Sequence, residues 1–373
     1  MVTLSYSEEH TLLRNEVRRW LAERCPTTAV RRFADDPRGD DSTWWKELAE
    51  LGWLGLVVPA EYGGSGLSFT HLAVLLEEAG RSLLPAPLLS TTLAAMAIAF
   101  AGSDAQRARW LPRLAAGDFV ATLAHVEPSG AWQAADTAAR RQRGRVSGEK
   151  HHVWHAPTAD LFLLPVRDGA ARSARLRLAV IERAADGITV TPEVGLDPTR
   201  RSGRVRFDGV AVRDDAILPA DAREVFAYLL PRACTALAAE MAGGADALLT
   251  MTATYATQRV QFARPIGSFQ AIKHPLVNVM IDVEHVRSLL YAAAAALDAG
   301  AAEAESLARM AKAKASDAYV FAASRAVQFH GGFGFTYECD AHFYMKRALA
   351  SRPAFGDAAH HRRWIAEHLI AAA

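Results

Sequence analysis

The fold of this chain is decided by two stretches of sequence, RVQFARPIGSFQ at residues 259–270 and QFHGGFGF at residues 328–335. The arginine that opens the first stretch is predicted at the end of a long helix, where its planar guanidinium suits a pyrophosphate. Pro265 and Gly267 then turn the chain, and Gln270 begins another helix, whose N-terminus also favours anions. In the second stretch, adjacent glycines let backbone N–H groups approach a ligand closely. The residues alone leave two interpretations open with equal weight, an anion site and an ordinary pair of helix ends.

Hydrophobic spacing divides the chain into three parts. Apolar residues recur every three or four positions up to about residue 117, which predicts a helical domain over residues 1–117. Short apolar runs bounded by Gly, Asp and Pro predict a β-domain over residues 118–219. Helices return in residues 220–373, and the longest are predicted at 234–260, 273–299 and 303–329.

Composition excludes some classes of partner. The chain of 373 residues is 51% hydrophobic and 22% charged, with a formal net charge of +1. This balance argues against nucleic acid or an anionic membrane surface as the main partner. The three cysteines lack C-x-x-C spacing, and the N-terminus has no apolar core, so a cytoplasmic protein is expected. The charge-free stretch 82–103 is interrupted by two prolines, which favours a buried helix over a membrane span.

Taken together, the two stretches resemble the acyl-CoA dehydrogenase family in order, spacing and residue type, and the resemblance extends over the whole chain. It implies an all-α N-terminal domain, a small β-barrel or sandwich middle domain and a C-terminal four-helix bundle. In that family the two stretches bind the adenine and pyrophosphate half of FAD, mostly on a neighbouring subunit. The implied FAD contacts are Arg259, Gln261, Phe262, Phe269, Gln270, Gln328, Gly331 and Gly332.

The segments with which the family holds the flavin ring on its own chain are altered. The family pattern T-E-P-x-x-G-S-D corresponds to HVEPSGAW at residues 125–132, and G-x-K-x-W-I-T corresponds to GEKHHVWH at 148–155. The Glu-Pro pair and Gly-x-Lys are retained. The G-S-D is lost, and His152 and Trp154 replace residues that would touch the flavin ring.

The resemblance also implies a catalytic base that this chain lacks. Desaturating an acyl thioester requires a carboxylate within about 2.6–3.2 Å of the α-proton, while hydride leaves the β-carbon for the flavin. The two positions where the family keeps this glutamate hold Ala233 and Phe355, so no catalytic residue is assigned. The arginine that usually accompanies the first position is also shifted, to Arg232. Glu240 and Asp357 are weak candidates for a displaced base, against their interpretation as surface or capping carboxylates.

Three hypotheses follow. The first is a non-catalytic subunit, as in bacterial α2β2 acyl-CoA dehydrogenases, that completes the FAD site of a homologous catalytic partner. The second is a self-sufficient homotetrameric flavoenzyme with a displaced base or altered chemistry, including monooxygenation, and the third is a flavin-free scaffold. The resemblance implies an acyl-CoA thioester substrate and an acceptor of the electron-transfer flavoprotein type. No metal site is expected, because His151 and His152 of the predicted strand should point to opposite faces.

Overall fold

The computed structural model describes residues 7–36, 42–169 and 174–371. Six helices form the N-terminal part, and two of them begin at capping boxes, in which Ser7 and Ser103 accept hydrogen bonds from backbone amides of the first turn. The helix at residues 88–101 is almost entirely buried, which confirms the expectation for the charge-free stretch. The helices are α1 (Glu8–Arg24), α2 (Thr27–Asp35), α3 (Ser42–Glu50), α4 (Phe69–Arg81), α5 (Leu88–Ala101) and α6 (Asp104–Ala115).

The middle part is one mixed sheet of eight strands in the described part of the chain, in the order β6-β7-β3-β2-β4-β5-β8, with β1 paired to β4. β4 is its most apolar strand, with six consecutive buried residues. The strands are β1 (Ala121–Leu123), β2 (Arg140–Gln142), β3 (Arg145–Trp154), β4 (Leu161–Asp168), β5 (Arg175–Glu182), β6 (Ile188–Glu193), β7 (Ser202–Ala211) and β8 (Ile217–Asp221).

The C-terminal part is a helical bundle around one long central helix, α7 (Ala222–Gln258). A two-stranded hairpin, β9 (Val260–Gln261) and β10 (Arg264–Pro265), joins it to the next helix. The remaining helices are α8 (Gln270–Asp298), α9 (Ala304–Phe329), α10 (Ala341–Ser351) and α11 (Ala358–Ala371).

The predicted start of α7 at residue 234 was wrong, because the helix continues through Pro231 from Ala222. Proline removes one backbone donor and usually ends a helix, which is why the sequence places the start after it. Here Pro231 is buried among the packed helices, and its carbonyl oxygen accepts a hydrogen bond from the Thr235 hydroxyl at 2.8 Å. Tertiary packing therefore outweighs the local preference.

Two glycines bring α4 and α7 into close contact. A Cβ atom on Gly80 would clash with the Glu240 backbone, and one on Gly243 would clash with the Glu77 carbonyl oxygen. Although α7 is long and apolar enough to cross a membrane, 72% of its most apolar window is buried inside the fold. It therefore serves as the central core helix of the bundle, in contact with the N-terminal helices.

Candidate functional site

The first stretch forms an exposed hairpin at the end of α7. Arg259 caps α7, and its carbonyl oxygen accepts a hydrogen bond from the Ile266 amide at 2.8 Å. The two turn residues, Phe262 and Ala263, have φ angles of 53° and 60°, as the tight turn of a two-residue hairpin requires. The Phe262 side chain is 88% exposed. The guanidinium of Arg264 lies 4.1 Å from the centre of the Phe269 ring, so a cation–π contact ties the outward-projecting hairpin to the residue before α8.

The second stretch follows α9 and leaves open space beside its glycines. Gly331 has φ of 62°, a left-handed conformation that favours glycine, whereas the φ of Gly332 is not positive. A Cβ atom on either residue would meet no protein atom within 4 Å. Packing within the chain therefore does not account for glycine at 332, and the space beside it is open to a ligand. With exposed Arg259, Gln270 and Gln328, these residues fit the adenine and pyrophosphate half of FAD.

Arg31 of α2 holds the loop that follows the glycines. Its guanidinium donates to the Asp340 carboxylate at 2.6 and 2.9 Å and to the Glu338 carbonyl oxygen at 3.0 Å. It also lies about 5 Å from the ring centres of Tyr337 and Phe343. The N-terminal domain thus holds the loop that follows the second stretch.

Exposed apolar side chains occur in the second stretch and on α8, the helix that follows the first stretch. Phe335 is 78% exposed, and the N-terminal half of α8 presents Val277, Met280 and Ile281 to solvent. Single exposed apolar residues are ordinary, but a group of them beside one site marks a contact surface.

A large cavity lies between the sheet, α5 and the loop that joins α10 to α11. Its volume is about 590 Å³. The positions altered from the family pattern, His152 and Trp154, line it together with Trp132. Other lining residues include Leu93, His125, Val194, Leu196 and Phe355.

Phe355, at one of the family's two glutamate positions, is part of an aromatic cluster in this cavity. Its ring stacks on His125 with centroids 5.1 Å apart and meets Trp154 edge-on at 5.9 Å. Its φ of 54° is rare for a bulky residue. Burial lowers the pKa of His125 to about 4, so this imidazole is neutral at pH 7. The cluster consists of aromatic rings and a neutral imidazole, so it offers no carboxylate to a substrate.

The retained Glu-Pro and Gly-x-Lys residues form a buried ion pair. The Lys150 ammonium donates to the Glu127 carboxylate and, at 2.9 Å, to the Thr137 hydroxyl. Burial lowers the pKa of Lys150, and the Glu127 charge opposes that shift. These family residues thus join the segment between β1 and β2 to β3.

The family's first glutamate position, Ala233, is fully buried on α7. Neither candidate for a displaced base, Glu240 or Asp357, presents a free carboxylate. Both oxygens of Glu240 accept hydrogen bonds from Arg200, at 2.6 and 2.7 Å. Asp357 is exposed, and its carboxylate accepts from the His360 amide at 2.7 Å in the first turn of α11. This hydrogen bond lowers the pKa of Asp357, which makes it a weaker base.

The expected orientation of two histidines was wrong. The imidazoles of His151 and His152 lie 3.7 and 3.1 Å from the same carboxylate, Glu193, instead of on opposite faces. The register between β3 and β7 shifts between Lys150 and Val153, and His152 has φ of 50°. A bulge of this kind redirects a side chain. No group of three metal-ligating residues occurs in residues 7–36, 42–169 and 174–371.

Sequence reasoning missed a fully buried lysine. The Lys312 ammonium donates to the Ser316 hydroxyl at 3.1 Å and to the carbonyl oxygens of Arg352 and Gly356 at 3.0 and 3.3 Å. It therefore holds the loop that carries Phe355, and burial lowers its pKa to about 8. The signal was present, because Lys312 shares its helical spacing with the buried Ala308 and Ala315.

Comparison with known proteins places these features in a family. Residues 7–118 match the acyl-CoA dehydrogenase N-terminal domain, and residues 224–370 match its C-terminal domain. Acyl-CoA dehydrogenase IpdE2 of Mycobacterium tuberculosis is 32% identical over 346 residues, which cover 92% of each chain.

Two solved structures are similar over nearly their whole length. A variant of the Tcur3481-Tcur3483 steroid ACAD has a TM-score of 0.88 and 30% identity, with 99% of both chains covered. The ChsE4-ChsE5 complex from Mycobacterium tuberculosis has a TM-score of 0.90 and 26% identity, again with 99% of both chains covered. The chain belongs to the acyl-CoA dehydrogenase family, a family of FAD-dependent oxidoreductases, and has its three-part fold.

Proposed function

We propose that this chain is the subunit of a heteromeric acyl-CoA dehydrogenase that lacks the catalytic glutamate and completes the FAD site of a homologous partner. The observation that carries the proposal is an asymmetry between two halves of one site. The residues that would contact a neighbour's FAD are exposed beside open space at Gly332. The glutamate positions hold buried Ala233 and Phe355.

The partner's glutamate would remove the α-proton of an acyl-CoA thioester, and FAD bound between the chains would accept the hydride. On this chain, Arg259 would pair with the pyrophosphate, and the N-terminus of α8 at Gln270 would add a favourable dipole. The backbone at Gly331 and Gly332 would approach the cofactor closely. The electrons would pass to an acceptor of the electron-transfer flavoprotein type, in the cytoplasm.

The names of two similar solved structures support a heteromeric assembly. The Tcur3481-Tcur3483 and ChsE4-ChsE5 structures each pair two differently named chains. The exposed apolar side chains near the two stretches, such as Phe335 and Met280, would be covered by the partner.

A self-sufficient flavoenzyme is less well supported. Glu240 is held by Arg200 at its two oxygens, and Asp357 caps a helix at the surface. Taking either as a base would require breaking contacts that hold it in place. A flavin-free scaffold would have no need of Arg259 and Gln270 beside an open Gly332.

The test is turnover of an acyl-CoA by the chain alone and after co-expression with a homologous chain that keeps a glutamate at either family position. We expect no turnover from the chain alone and turnover from the pair. Substituting the partner's glutamate by glutamine should abolish it. Turnover by this chain without a partner would refute the proposal.

A further inference from the structure

A second, smaller cavity lies at the junction of the N-terminal domain and the C-terminal bundle. Its volume is about 280 Å³, near the lower end of the roughly 300–1,000 Å³ typical of ligand pockets. It shares no lining residue with the large cavity. Its apolar walls come from the loop after α3, the end of α5 and the end of α8, through Val57, Pro59, Met96, Ala99 and Leu297.

The cation of this cavity is the guanidinium of Arg232, the arginine that the sequence places beside the family's first glutamate position. It donates a hydrogen bond to the Tyr228 carbonyl oxygen at 2.8 Å and also interacts with the Tyr228 side chain. Within the described part of the chain no carboxylate oxygen lies within 4 Å of its guanidinium nitrogens, and Asp298 acts on it only from a greater distance. Burial lowers the pKa of Arg232, but the guanidinium stays charged at pH 7. The cavity therefore holds a partly buried cation whose other N–H groups can donate hydrogen bonds to a ligand.

Neighbouring groups hold this guanidinium in a defined orientation. It lies 3.6 Å from the centre of the Tyr228 ring. The same ring stacks on Phe100, with centroids 4.1 Å apart and planes at 7°. A layered arrangement of this kind leaves few rotamers open, so the free N–H groups are oriented before a ligand arrives.

The carboxylate at the rim of the cavity is already engaged. Asp298 accepts hydrogen bonds from the amides of Phe69 and Thr70, at 2.6 and 3.0 Å, and from the Thr70 hydroxyl at 2.6 Å. It therefore caps α4, and it makes no ion pair within 4 Å of Arg232, although its charge raises the pKa of that guanidinium. Its negative charge at the rim disfavours a ligand with several negative charges over one with a single charge.

We propose that this cavity is a binding site for a small monocarboxylate with an apolar body, distinct from the large cavity. The carboxylate pairs with the Arg232 guanidinium, which suits planar two-oxygen recognition. The apolar body lies against Met96, Ala99 and Leu297. Ligand sites are frequent at such domain junctions.

The test is calorimetric titration of the purified full-length chain with octanoate, and with octanamide as its neutral counterpart. We expect saturable binding of octanoate and at least tenfold weaker binding of octanamide. Arg232→Gln should weaken octanoate binding at least tenfold, and Ala99→Trp should abolish it by filling the cavity. The control Arg206→Gln, at an exposed arginine on β7, should bind octanoate like the unsubstituted chain.

Several results would overturn the proposal. One is the absence of octanoate binding at millimolar concentration, and another is equal affinity in Arg232→Gln. Binding that survives Ala99→Trp but is lost in Leu93→Trp would place octanoate in the large cavity. Circular dichroism of each variant separates loss of binding from loss of fold. Ala99→Trp changes the cavity from α5 and Arg232→Gln changes it from α7, so the two variants test the site independently.

Discussion

Phe355 shows what replaces a catalytic carboxylate in this chain. Its ring is 5% exposed and contacts His125 and Trp154, so it contributes to packing where the family has a base. Lys312 holds the carbonyl oxygens on either side of it. The position has thus become part of the core, with an aromatic cluster built around it.

Replacing this ring should destabilise the chain. We expect Phe355→Ala to lower the free energy of unfolding by about 3 kcal/mol, the lower part of the range for a buried phenylalanine, because the site already borders a cavity. The matched control is Phe335→Ala, whose ring is 78% exposed and whose loss should cost less than about 0.5 kcal/mol. Urea unfolding measures both, and equal effects would contradict the described packing.

The buried pair of Glu127 and Lys150 makes a second prediction at this scale. Glu127→Gln leaves the Lys150 ammonium buried without its counter-charge, which should cost about 3–5 kcal/mol of unfolding free energy. Replacing both, as Glu127→Leu with Lys150→Met, should recover most of that loss. Urea unfolding of the two variants tests this. A neutral effect of Glu127→Gln alone would show that the pair is not needed for stability.

At the scale of elements, glycines have two different roles. Gly80 and Gly243 allow α4 and α7 to touch, because any side chain there would clash with backbone. Gly332 meets no such constraint within the chain. The fold explains the first role, and for Gly332 we propose the close approach of a cofactor.

This contrast predicts separable effects of two substitutions. Gly332→Ala should leave the melting temperature of the chain unchanged but weaken FAD retention in the complex about tenfold, or ~1.4 kcal/mol. Gly243→Ala should destabilise the chain by separating α4 from α7. Thermal unfolding and the dissociation constant of FAD distinguish the two. Unchanged FAD affinity in Gly332→Ala would argue against close approach of the cofactor.

Sequence patterns predicted the elements better than their boundaries. The hairpin turn at Phe262 and Ala263 was not predicted, whereas the start of α8 at Gln270 and the end of α9 at Phe329 follow from local signals of glycine and apolar spacing. The start of α7 did not, because burial of Pro231 is a tertiary effect. The placement of His151 and His152 failed for a similar reason, since a bulge in β3 depends on its partner strand.

For the whole molecule, the succession of helices, strands and helices was predictable, whereas the two cavities were not. Their linings combine residues far apart in sequence, such as Val57 with Leu297 and Leu93 with Phe355. The burial of Lys312 could be read from its helical spacing, but two of its partners could not, because they are backbone carbonyl oxygens of a distant loop. Long-range packing creates these features, and periodicity reports only local order.

Buried histidines predict a loss of stability in acid. Burial lowers the pKa of His155 and of His361 to about 3 each, from 6.5. The unfolded chain therefore binds more protons than the folded chain between about pH 6.5 and 3, so stability falls as pH falls through that window. At pH 5 each histidine should lower the free energy of unfolding by about 2 kcal/mol from its value at pH 7 or above. Urea unfolding at both pH values, with His361→Gln as comparison, should show a smaller pH effect in the variant, and an identical effect would contradict the assignment.

The central claim is that this chain completes a FAD site in which it is not the catalytic subunit. The most direct test is the ratio of flavin to protein chain, from the visible absorption of the purified chain alone and of the complex with a glutamate-bearing partner. The account predicts little or no flavin on the chain alone and, in the complex, flavin that is lost when Arg259 is replaced by Gln. One flavin per chain in the absence of any partner would contradict it.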